Sequence, residues 1–172
     1  MEKIMFRAEI PYIGITEKCG CKNSVYRLKE LLASPKGEMT AVNKYVYCAA
    51  VLKKENPEVS GIFEEIAKVE MHHMNMIMQL LISSGEYPVY SCENYCSGRR
   101  KEIFWSAGFI KYNNNLKNML ISFLNDESGA ASEYMSLADS CENEEMAAVL
   151  KRIAMDEKIH CKILTDLFEK YK

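Results

Sequence analysis

Two short motifs in this chain place a carboxylate and an imidazole three residues apart. One runs from Glu70 to His73 and the other from Glu157 to His160. On an α-helix, residues three apart project from the same face, so each glutamate is expected beside its histidine. Because burying a lone carboxylate costs several kcal/mol or more, a buried carboxylate is normally paired or bound to a metal ion.

Both motifs lie within apolar stripes that have the period of an α-helix. The residues of the two stripes are Ile62, Ile66, Val69, Ile77 and Leu80 around the first motif, and Ala147, Leu150, Ile153, Leu164, Leu167 and Tyr171 around the second. The polar pairs are therefore expected on the buried faces of two long helices. Two such motifs on core-facing helices are typical of a dinuclear metal site in a four-helix bundle.

Two other predicted helices each place one glutamate in an apolar line. The predicted metal ligands are therefore Glu38, Glu70, His73, Glu127, Glu157 and His160. Taken singly, a glutamate in such a stripe is more often an edge residue with a solvated carboxylate than a metal ligand. A single buried histidine is likewise more often a hydrogen-bonded core residue than a metal ligand. Six such residues in matching register favour a metal site. Four carboxylates and two imidazoles suit two iron or two manganese ions, with carboxylates as bridges.

Asp156 directly precedes Glu157 and lies four residues before His160. We expect its carboxylate to accept a hydrogen bond from the ring of a ligating histidine, which would select the tautomer of that ring. The residue before Glu70 is the apolar Val69, so this support is expected on one side only.

Tyr45 and Tyr134 follow Glu38 and Glu127 by seven residues, about two helical turns. They are either packing tyrosines or partners that hydrogen-bond the glutamates and carry an electron or a proton. His72 points about 100° away from its neighbour around the helix, so we expect it to flank the site.

Helix-breaking residues divide the chain into one domain with two helical hairpins. Asn56 is expected to cap the second long helix and Pro57 to occupy its first turn. The predicted segments are an N-terminal arm and short helix (1–36), a first hairpin (37–84), a crossover (85–112) and a second hairpin (113–172). The crossover shows no helical period, so we expect a structureless connection whose aromatic residues cover the bundle and offer a homodimer contact.

Composition excludes several classes of function. The chain has 172 residues and a net charge of −2, which gives no footprint for nucleic acid. Residues 1–7 have no apolar core of a signal peptide, and no apolar run reaches the roughly 20 residues that cross a bilayer. We therefore expect a cytoplasmic protein that does not bind membranes. The seven cysteines are an odd number, which argues against a disulfide framework.

Two pairs of cysteines lie outside the predicted long helices. They are Cys19 with Cys21 in the arm and Cys92 with Cys96 in the crossover. Only the second pair has a spacing that is usual for zinc. A four-cysteine metal site joining the arm to the crossover is one hypothesis, and unligated thiols are the alternative.

The stretches 37–41, 69–73 and 154–160 resemble the ferritin-like superfamily, and within it the rubrerythrin-like branch, with the resemblance covering residues 25–172. The resemblance implies an all-α, ferritin-like four-helix bundle, up-down-down-up, with a long crossover between its second and third helices and here a short extra N-terminal helix. It also implies a diiron centre that reduces hydrogen peroxide or oxygen. Two features depart from rubrerythrins: Ala130 stands where they carry an extra glutamate, and no rubredoxin-type cysteine pairs follow the bundle.

Several functions remain open at this stage. The first is a redox enzyme in which two ferrous ions reduce peroxide or oxygen and are then reduced by an unidentified electron donor. The second is disproportionation of peroxide by two manganese ions, as in the related manganese catalases. The third is iron binding or storage without catalysis, and the fourth is a structural protein whose site is idle.

Overall fold

Five α-helices occupy most of the described chain. The computed structural model describes residues 4–16, 22–96 and 99–171. The helices are α1 (Lys22–Ala33), α2 (Glu38–Leu52), α3 (Pro57–Ser83), α4 (Leu116–Asp139) and α5 (Glu144–Tyr171). Two strands, β1 (Ser91–Cys96) and β2 (Arg99–Phe104), and a 3-10 turn (Ala107–Phe109) lie between α3 and α4. The short helix α1 is longer than the sequence predicts, since it begins three residues before Val25 and ends one after Leu32.

Asparagine caps define where the long helices begin. The side chain of Asn56 accepts a hydrogen bond from the Val59 amide at 3.1 Å, with Pro57 as the first helical residue. Asn115 caps α4 in the same way, at 3.2 Å from the Asn118 amide. Each cap satisfies an amide that has no partner within its helix. The cap predicted at Asn56 is confirmed.

Contacts between the helices establish their directions. On α2 and α4, Tyr45 contacts Glu127 and Tyr134 contacts Glu38, so these two helices run in opposite directions. At the outer end of the bundle, Lys170 near the end of α5 lies 2.7 Å from a carboxylate oxygen of Glu58 at the start of α3. With the two hairpins α2–α3 and α4–α5, this order gives the predicted up-down-down-up bundle.

Two apolar clusters fill the bundle at different heights. The largest buried side chains of one are Tyr45, Phe63, Phe123 and Ile66. Those of the other include Leu28, Leu80, Tyr134 and Met146, some of them from α1. Along α3 the first cluster ends at Ala67 and the second begins at Met76. Glu70 and His73, the buried charged or imidazole residues of α3, lie between these positions, so one apolar layer lies on each side of the polar layer.

The sequence analysis expected a structureless crossover, and this expectation is wrong. The crossover contains a β-hairpin. Strands β1 and β2 pair antiparallel from Ser91 opposite Phe104 to Cys96 opposite Arg99. The Glu93 amide donates to a carboxylate oxygen of Glu30 on α1 at 3.0 Å. A lone two-stranded hairpin is marginal in water, so contact with α1 stabilises it. This tertiary contact is not visible in a local sequence pattern.

The aromatic residues of the crossover only partly cover the bundle. The Trp105 indole donates to the Thr40 hydroxyl on α2 at 3.0 Å, and Tyr112 packs edge-on against Tyr47 with ring centroids 5.0 Å apart. Tyr87 and Phe104 are instead 84% and 65% exposed.

Within the described ranges, no helix combines the length and the apolar character that a membrane span requires.

Candidate metal centre

All six predicted ligands meet in the polar layer between the two apolar clusters. Their side chains are buried, with exposures between 0 and 4%. Their ligand atoms form two overlapping groups in which all atoms lie within 4.8 Å of one another, namely Glu38, Glu70, His73 and Glu157, and Glu70, Glu127, Glu157 and His160. Glu70 and Glu157 belong to both groups. The arrangement is that of two adjacent cation positions sharing two carboxylates.

The two shared carboxylates lie between the two imidazole rings. His73 Nδ1 is 3.1 Å from Glu70 Oε2 and 3.0 Å from Glu157 Oε1. His160 Nδ1 is 2.8 Å from Glu70 Oε1 and 3.6 Å from Glu157 Oε2. Each shared glutamate therefore presents one oxygen to each ring, which is the orientation of a bridging carboxylate.

Four buried ligand atoms make no hydrogen bond of acceptable geometry with the described residues, although three of them lie 2.8–3.0 Å from an atom of another ligand. They are Glu38 Oε2, Glu70 Oε1, Glu157 Oε1 and His160 Nδ1. Leaving such an atom unsatisfied costs about 1–3 kcal/mol each. All four belong to the two groups, where a cation would satisfy them. Oxygen and imidazole donors of this kind suit iron and manganese, so the residues present fit the metal pair that the fold family implies.

The pKa values of the four buried carboxyl groups shift in opposite directions, which limits the net charge of the metal-free centre. Burial, and next the charge of Glu70, raise the pKa of Glu38 and of Glu127 well above the usual range of a carboxyl group. Against the effect of burial, Glu127 and the two nearby imidazoles hold the pKa of Glu157 well below that range. Glu70 also has a lowered pKa, since the attraction of the nearby His160 outweighs its burial and the repulsion of Glu157.

The neighbouring carboxylates raise the pKa values of both imidazoles. Burial opposes the charged ring, but hydrogen bonds to Asp156 and Glu157 raise the pKa of His73 well above its ordinary value. The pKa of His160 is likewise raised, because the charge of Glu70 outweighs burial. Without metal, these shifts favour ionised Glu70 and Glu157 beside two protonated imidazoles, with Glu38 and Glu127 in the neutral form.

The two tyrosines hydrogen-bond glutamates across the bundle. The Tyr45 phenol donates to Glu127 Oε1, and the Tyr134 phenol donates to Glu38 Oε1. Each tyrosine therefore donates a hydrogen bond to the glutamate on the other helix, and not to the glutamate seven residues before it. Tyr45 also stacks on Phe123, with ring centroids 3.8 Å apart and planes 7° from parallel. Each phenol occupies one oxygen of its carboxylate and orients the other toward the cluster.

Both histidines are held through Nε2, and the two partners differ in kind. His73 Nε2 lies 3.1 Å from Asp156 Oδ2, so this aspartate supports the histidine of the neighbouring helix α3. His160 Nε2 donates to the backbone carbonyl of Phe6 at 3.0 Å. The expectation of support on one side only is therefore wrong, because the N-terminal arm supplies the second acceptor.

Asp156 is the centre of a buried hydrogen-bond network. Its carboxylate accepts from the Ala8 amide at 2.7 Å, the Tyr12 phenol at 2.6 Å and the Arg152 guanidinium at 2.6 Å. These donors and His73 outweigh burial and lower the pKa of Asp156 to about 2. Three of the arm's contacts to Asp156 and Arg152 use backbone atoms of Ala8 and Ile10, which leave no signal in the sequence.

The remaining candidate residues lie around the centre or outside the described part. His72 is exposed and packs on Tyr12, with ring centroids 4.1 Å apart, which fits the expected flanking position. Cys92 is buried beside α1. Cys19 and Cys21 lie outside the described residues, as does the side chain of Cys96. The four-cysteine site therefore stays a prediction.

A buried cluster of four glutamates and two histidines at the middle of an up-down-down-up bundle defines a ferritin-like protein of the non-haem dimetal class. The sequence profile of the rubrerythrin family matches residues 29–168. The chain therefore belongs to the rubrerythrin family. A search of curated proteins by sequence found no match.

Solved structures share the fold over nearly the whole chain. A manganese catalase from Anabaena, KatB, is 18% identical, covers 97% of this chain and 80% of its own, and gives a TM-score of 0.77. A dodecameric thioferritin from Bacteroides fragilis, described as bacterioferritin-related, is 21% identical, covers 90% of this chain and 89% of its own, and gives 0.70. At these identities the similarity shows the fold alone.

Proposed function

We propose that this protein binds two metal ions in the buried cluster. Glu38 and His73 would hold one ion, Glu127 and His160 the other, and Glu70 and Glu157 would bridge both. The observation that carries this proposal is the convergence of six buried ligands in two groups, in which four ligand atoms make no hydrogen bond of acceptable geometry. When ionised, the four carboxylates balance two divalent cations, which removes the cost of burying either set alone.

The proposed reaction is reduction of hydrogen peroxide, or of oxygen, by a diiron centre. The iron pair would supply the two electrons that turn peroxide and two protons into two waters, and an external donor would restore them. The protein would contribute a dry, charge-balanced site, since apolar layers close the cluster on both sides. The Tyr45 and Tyr134 phenols would keep Glu127 and Glu38 oriented, and they are positioned to pass a proton to these carboxylates.

A second candidate is disproportionation of peroxide by two manganese ions. Two observations favour it: the fold resembles the manganese catalase KatB over 97% of the chain, and Ala130 replaces the extra glutamate of rubrerythrins. In this reaction two peroxides give two waters and one dioxygen, and no external donor is required.

Assembly is a separate question: we propose a homodimer, whereas iron storage would need a hollow shell of many subunits.

Metal content tests the central claim. We expect about two iron atoms per chain in protein purified without added metal, counted by elemental mass spectrometry. The Glu70→Ala/Glu157→Ala variant should lose them, because it removes both bridging carboxylates. The matched control Glu55→Ala/Glu142→Ala removes two exposed glutamates and should keep them. Absence of metal in the wild type, even after reconstitution with ferrous or manganous ions, would refute the proposal.

Product analysis separates the two reactions. The iron-loaded and manganese-loaded proteins are each given hydrogen peroxide with and without a chemical electron donor, and oxygen evolution is followed with an electrode. Donor-dependent loss of peroxide without oxygen supports the diiron peroxidase. Oxygen evolution without a donor, in the manganese form only, supports the catalase. Solution mass from light scattering distinguishes a dimer from a storage shell in the same preparations.

A further inference from the structure

The N-terminal arm contacts the metal centre on both of its histidine sides. Its residues from Phe6 to Tyr12 lie along α5, opposite the stretch from His160 back to Arg152. Farther along, Thr16 donates through its amide to Glu145 at 2.8 Å. The arm has neither helix nor strand in residues 4–16. Its course is therefore set by individual polar contacts with α5, not by a secondary structure of its own.

The Phe6 carbonyl determines which nitrogen of His160 faces the cluster. A carbonyl oxygen can only accept a hydrogen bond, so His160 Nε2 must carry the proton in this contact. In the neutral ring, Nδ1 then has its lone pair free. That atom is buried and lies 2.8 Å from Glu70 Oε1, in a geometry that makes no acceptable hydrogen bond. The arm thus holds His160 in the tautomer that a metal ion requires.

On the other side the arm acts through Asp156. The Ala8 amide binds Asp156 Oδ1, and the Tyr12 phenol binds Oδ2, the oxygen that also accepts from His73 Nε2. Arg152 binds the same carboxylate and also donates to the carbonyls of Ala8 and Ile10 at 2.8 and 2.6 Å. Arm, arginine and aspartate therefore form one network, and its position determines the orientation of the His73 ring.

Apolar packing holds only some residues of the arm. Phe6 packs against one apolar cluster and Tyr12 against the other, whereas Ile4, Met5 and Ile10 are 46%, 51% and 52% exposed. A cleft of about 810 Å³ lies between part of the arm and α3, lined among others by Arg7, Lys68 and His72. The polar contacts to His160, Asp156 and Arg152 therefore share in the attachment, which links the position of the arm to the state of the centre.

We propose that the segment Phe6–Tyr12 is a positioning element of the metal centre, which holds both imidazoles with Nδ1 directed at the metal pair. This inference rests on the proposed function, since it presumes that the cluster binds metal. Residues that orient a ligating histidine typically change metal affinity by about 10- to 100-fold when they are replaced. The arm variants should therefore bind metal more weakly without losing any of the six ligands.

A pair of substitutions at one position tests the proposal. Ala8→Pro deletes the amide hydrogen that binds Asp156, whereas Ala8→Gly keeps it and serves as the matched control. Mn²⁺ alone is the probe, with free Mn²⁺ measured by electron paramagnetic resonance during titration of the full-length metal-free protein. We expect Ala8→Pro to weaken binding by about 10-fold or more and Ala8→Gly to stay within about twofold of the wild type.

A second variant keeps the test decisive if Ala8→Pro does not fold. Tyr12→Phe removes the phenol hydrogen bond to Asp156 and retains the ring. It should weaken Mn²⁺ binding in the wild-type background and have no further effect in an Asp156→Asn background, because it acts through that carboxylate. Thermal unfolding of the metal-free and Mn²⁺-loaded forms supplies a second readout: a positioning role reduces the stabilisation that Mn²⁺ confers.

The outcomes separate this inference from the function on which it rests. If the wild type binds two Mn²⁺ and both variants bind them equally well, the arm has no positioning role. Equal destabilisation of the metal-free and loaded forms, without change in affinity, would also overturn the inference, because it would make the arm merely structural. If the wild type binds no Mn²⁺, or if Glu70→Ala/Glu157→Ala binds it normally, the proposed function itself fails.

Discussion

Metal loading should release protons in a number that follows from the charge state of the buried cluster. The perturbation is the addition of two divalent ions to metal-free protein near neutral pH. Before loading, we expect Glu38 and Glu127 to be protonated because their pKa values are raised, and the two histidines to be imidazolium for the same reason. After loading, all six ligands must be deprotonated at their metal-binding atoms.

The expected magnitude is about four protons per pair of ions. Two protons come from the carboxyl groups of Glu38 and Glu127 and two from the imidazolium rings. Glu70 and Glu157, whose pKa values are lowered, contribute none. Two divalent ions then replace four protons, so the buried cluster stays neutral in both states. Because protons compete with the metal, affinity falls as the pH is lowered, with a limiting slope of about four decades in the two-ion binding constant per pH unit.

Calorimetry measures this number directly. Mn²⁺ is titrated into metal-free protein in buffers with different enthalpies of ionisation, and the dependence of the observed heat on that enthalpy gives the protons released. The Glu38→Gln/Glu127→Gln variant lacks two of the titrating groups and should release about two protons for each pair of ions that it still binds. Release of fewer than about two protons by the wild type would refute the charge assignment, since the cluster would then be largely deprotonated without metal.

Three further predictions concern stability of the metal-free protein, measured by urea unfolding with circular dichroism. Gly37→Ala should lower the free energy of unfolding by about 1–3 kcal/mol, because a Cβ there would lie 2.7 Å from a backbone oxygen of α1. Gly61→Ala places its Cβ in open space and should raise the free energy of unfolding by up to about 1 kcal/mol. Tyr134→Phe should lower the free energy of unfolding by about 1–3 kcal/mol, because it leaves a buried carboxyl oxygen of Glu38 without its donor. Asp126→Ala should cost about 1–3 kcal/mol by leaving the buried Lys44 ammonium, 2.5 Å away, without its counter-ion, and Lys44→Met should cost less.

Each of these predictions has a contradicting result. Equal effects at Gly37 and Gly61 would show that the close approach of α1 is not restrictive. A Tyr134→Phe variant as stable as the wild type would show that water replaces the phenol. A larger loss from Lys44→Met than from Asp126→Ala would show that the ammonium stabilises the bundle through its other contacts, such as the 2.8 Å hydrogen bond to Ser122.

Local patterns predicted the helices and the six residues of the cluster. Glu70 and His73 share a helical face because the α-helix repeats every 3.6 residues, and this spacing is a property of the chain itself. The cap at Asn56 and the break at Pro57 are equally local, since both depend on backbone groups within one turn. The antiparallel order of the hairpins followed from short connections. These features required no knowledge of which helices are neighbours.

Packing of the helices decided the partners of the individual side chains. Tyr45 bonds Glu127 and Tyr134 bonds Glu38, because α2 and α4 run antiparallel and bring each tyrosine to the height of the other glutamate. The separation of seven residues within one helix carries no such information. Likewise Asp156 supports His73 on α3, because its side chain points from α5 toward the neighbouring helix.

The sequence by itself thus determined the six candidate ligands and the helices that carry them, since both depend on periodicity along the chain. Only the tertiary structure showed that the arm contacts His160 and Asp156. The Phe6 carbonyl and the Ala8 amide make the decisive contacts, and every residue type other than proline offers both of these groups. A contact made by backbone atoms of an irregular segment leaves no residue preference behind, so its place is set by the folded surface on which the segment lies.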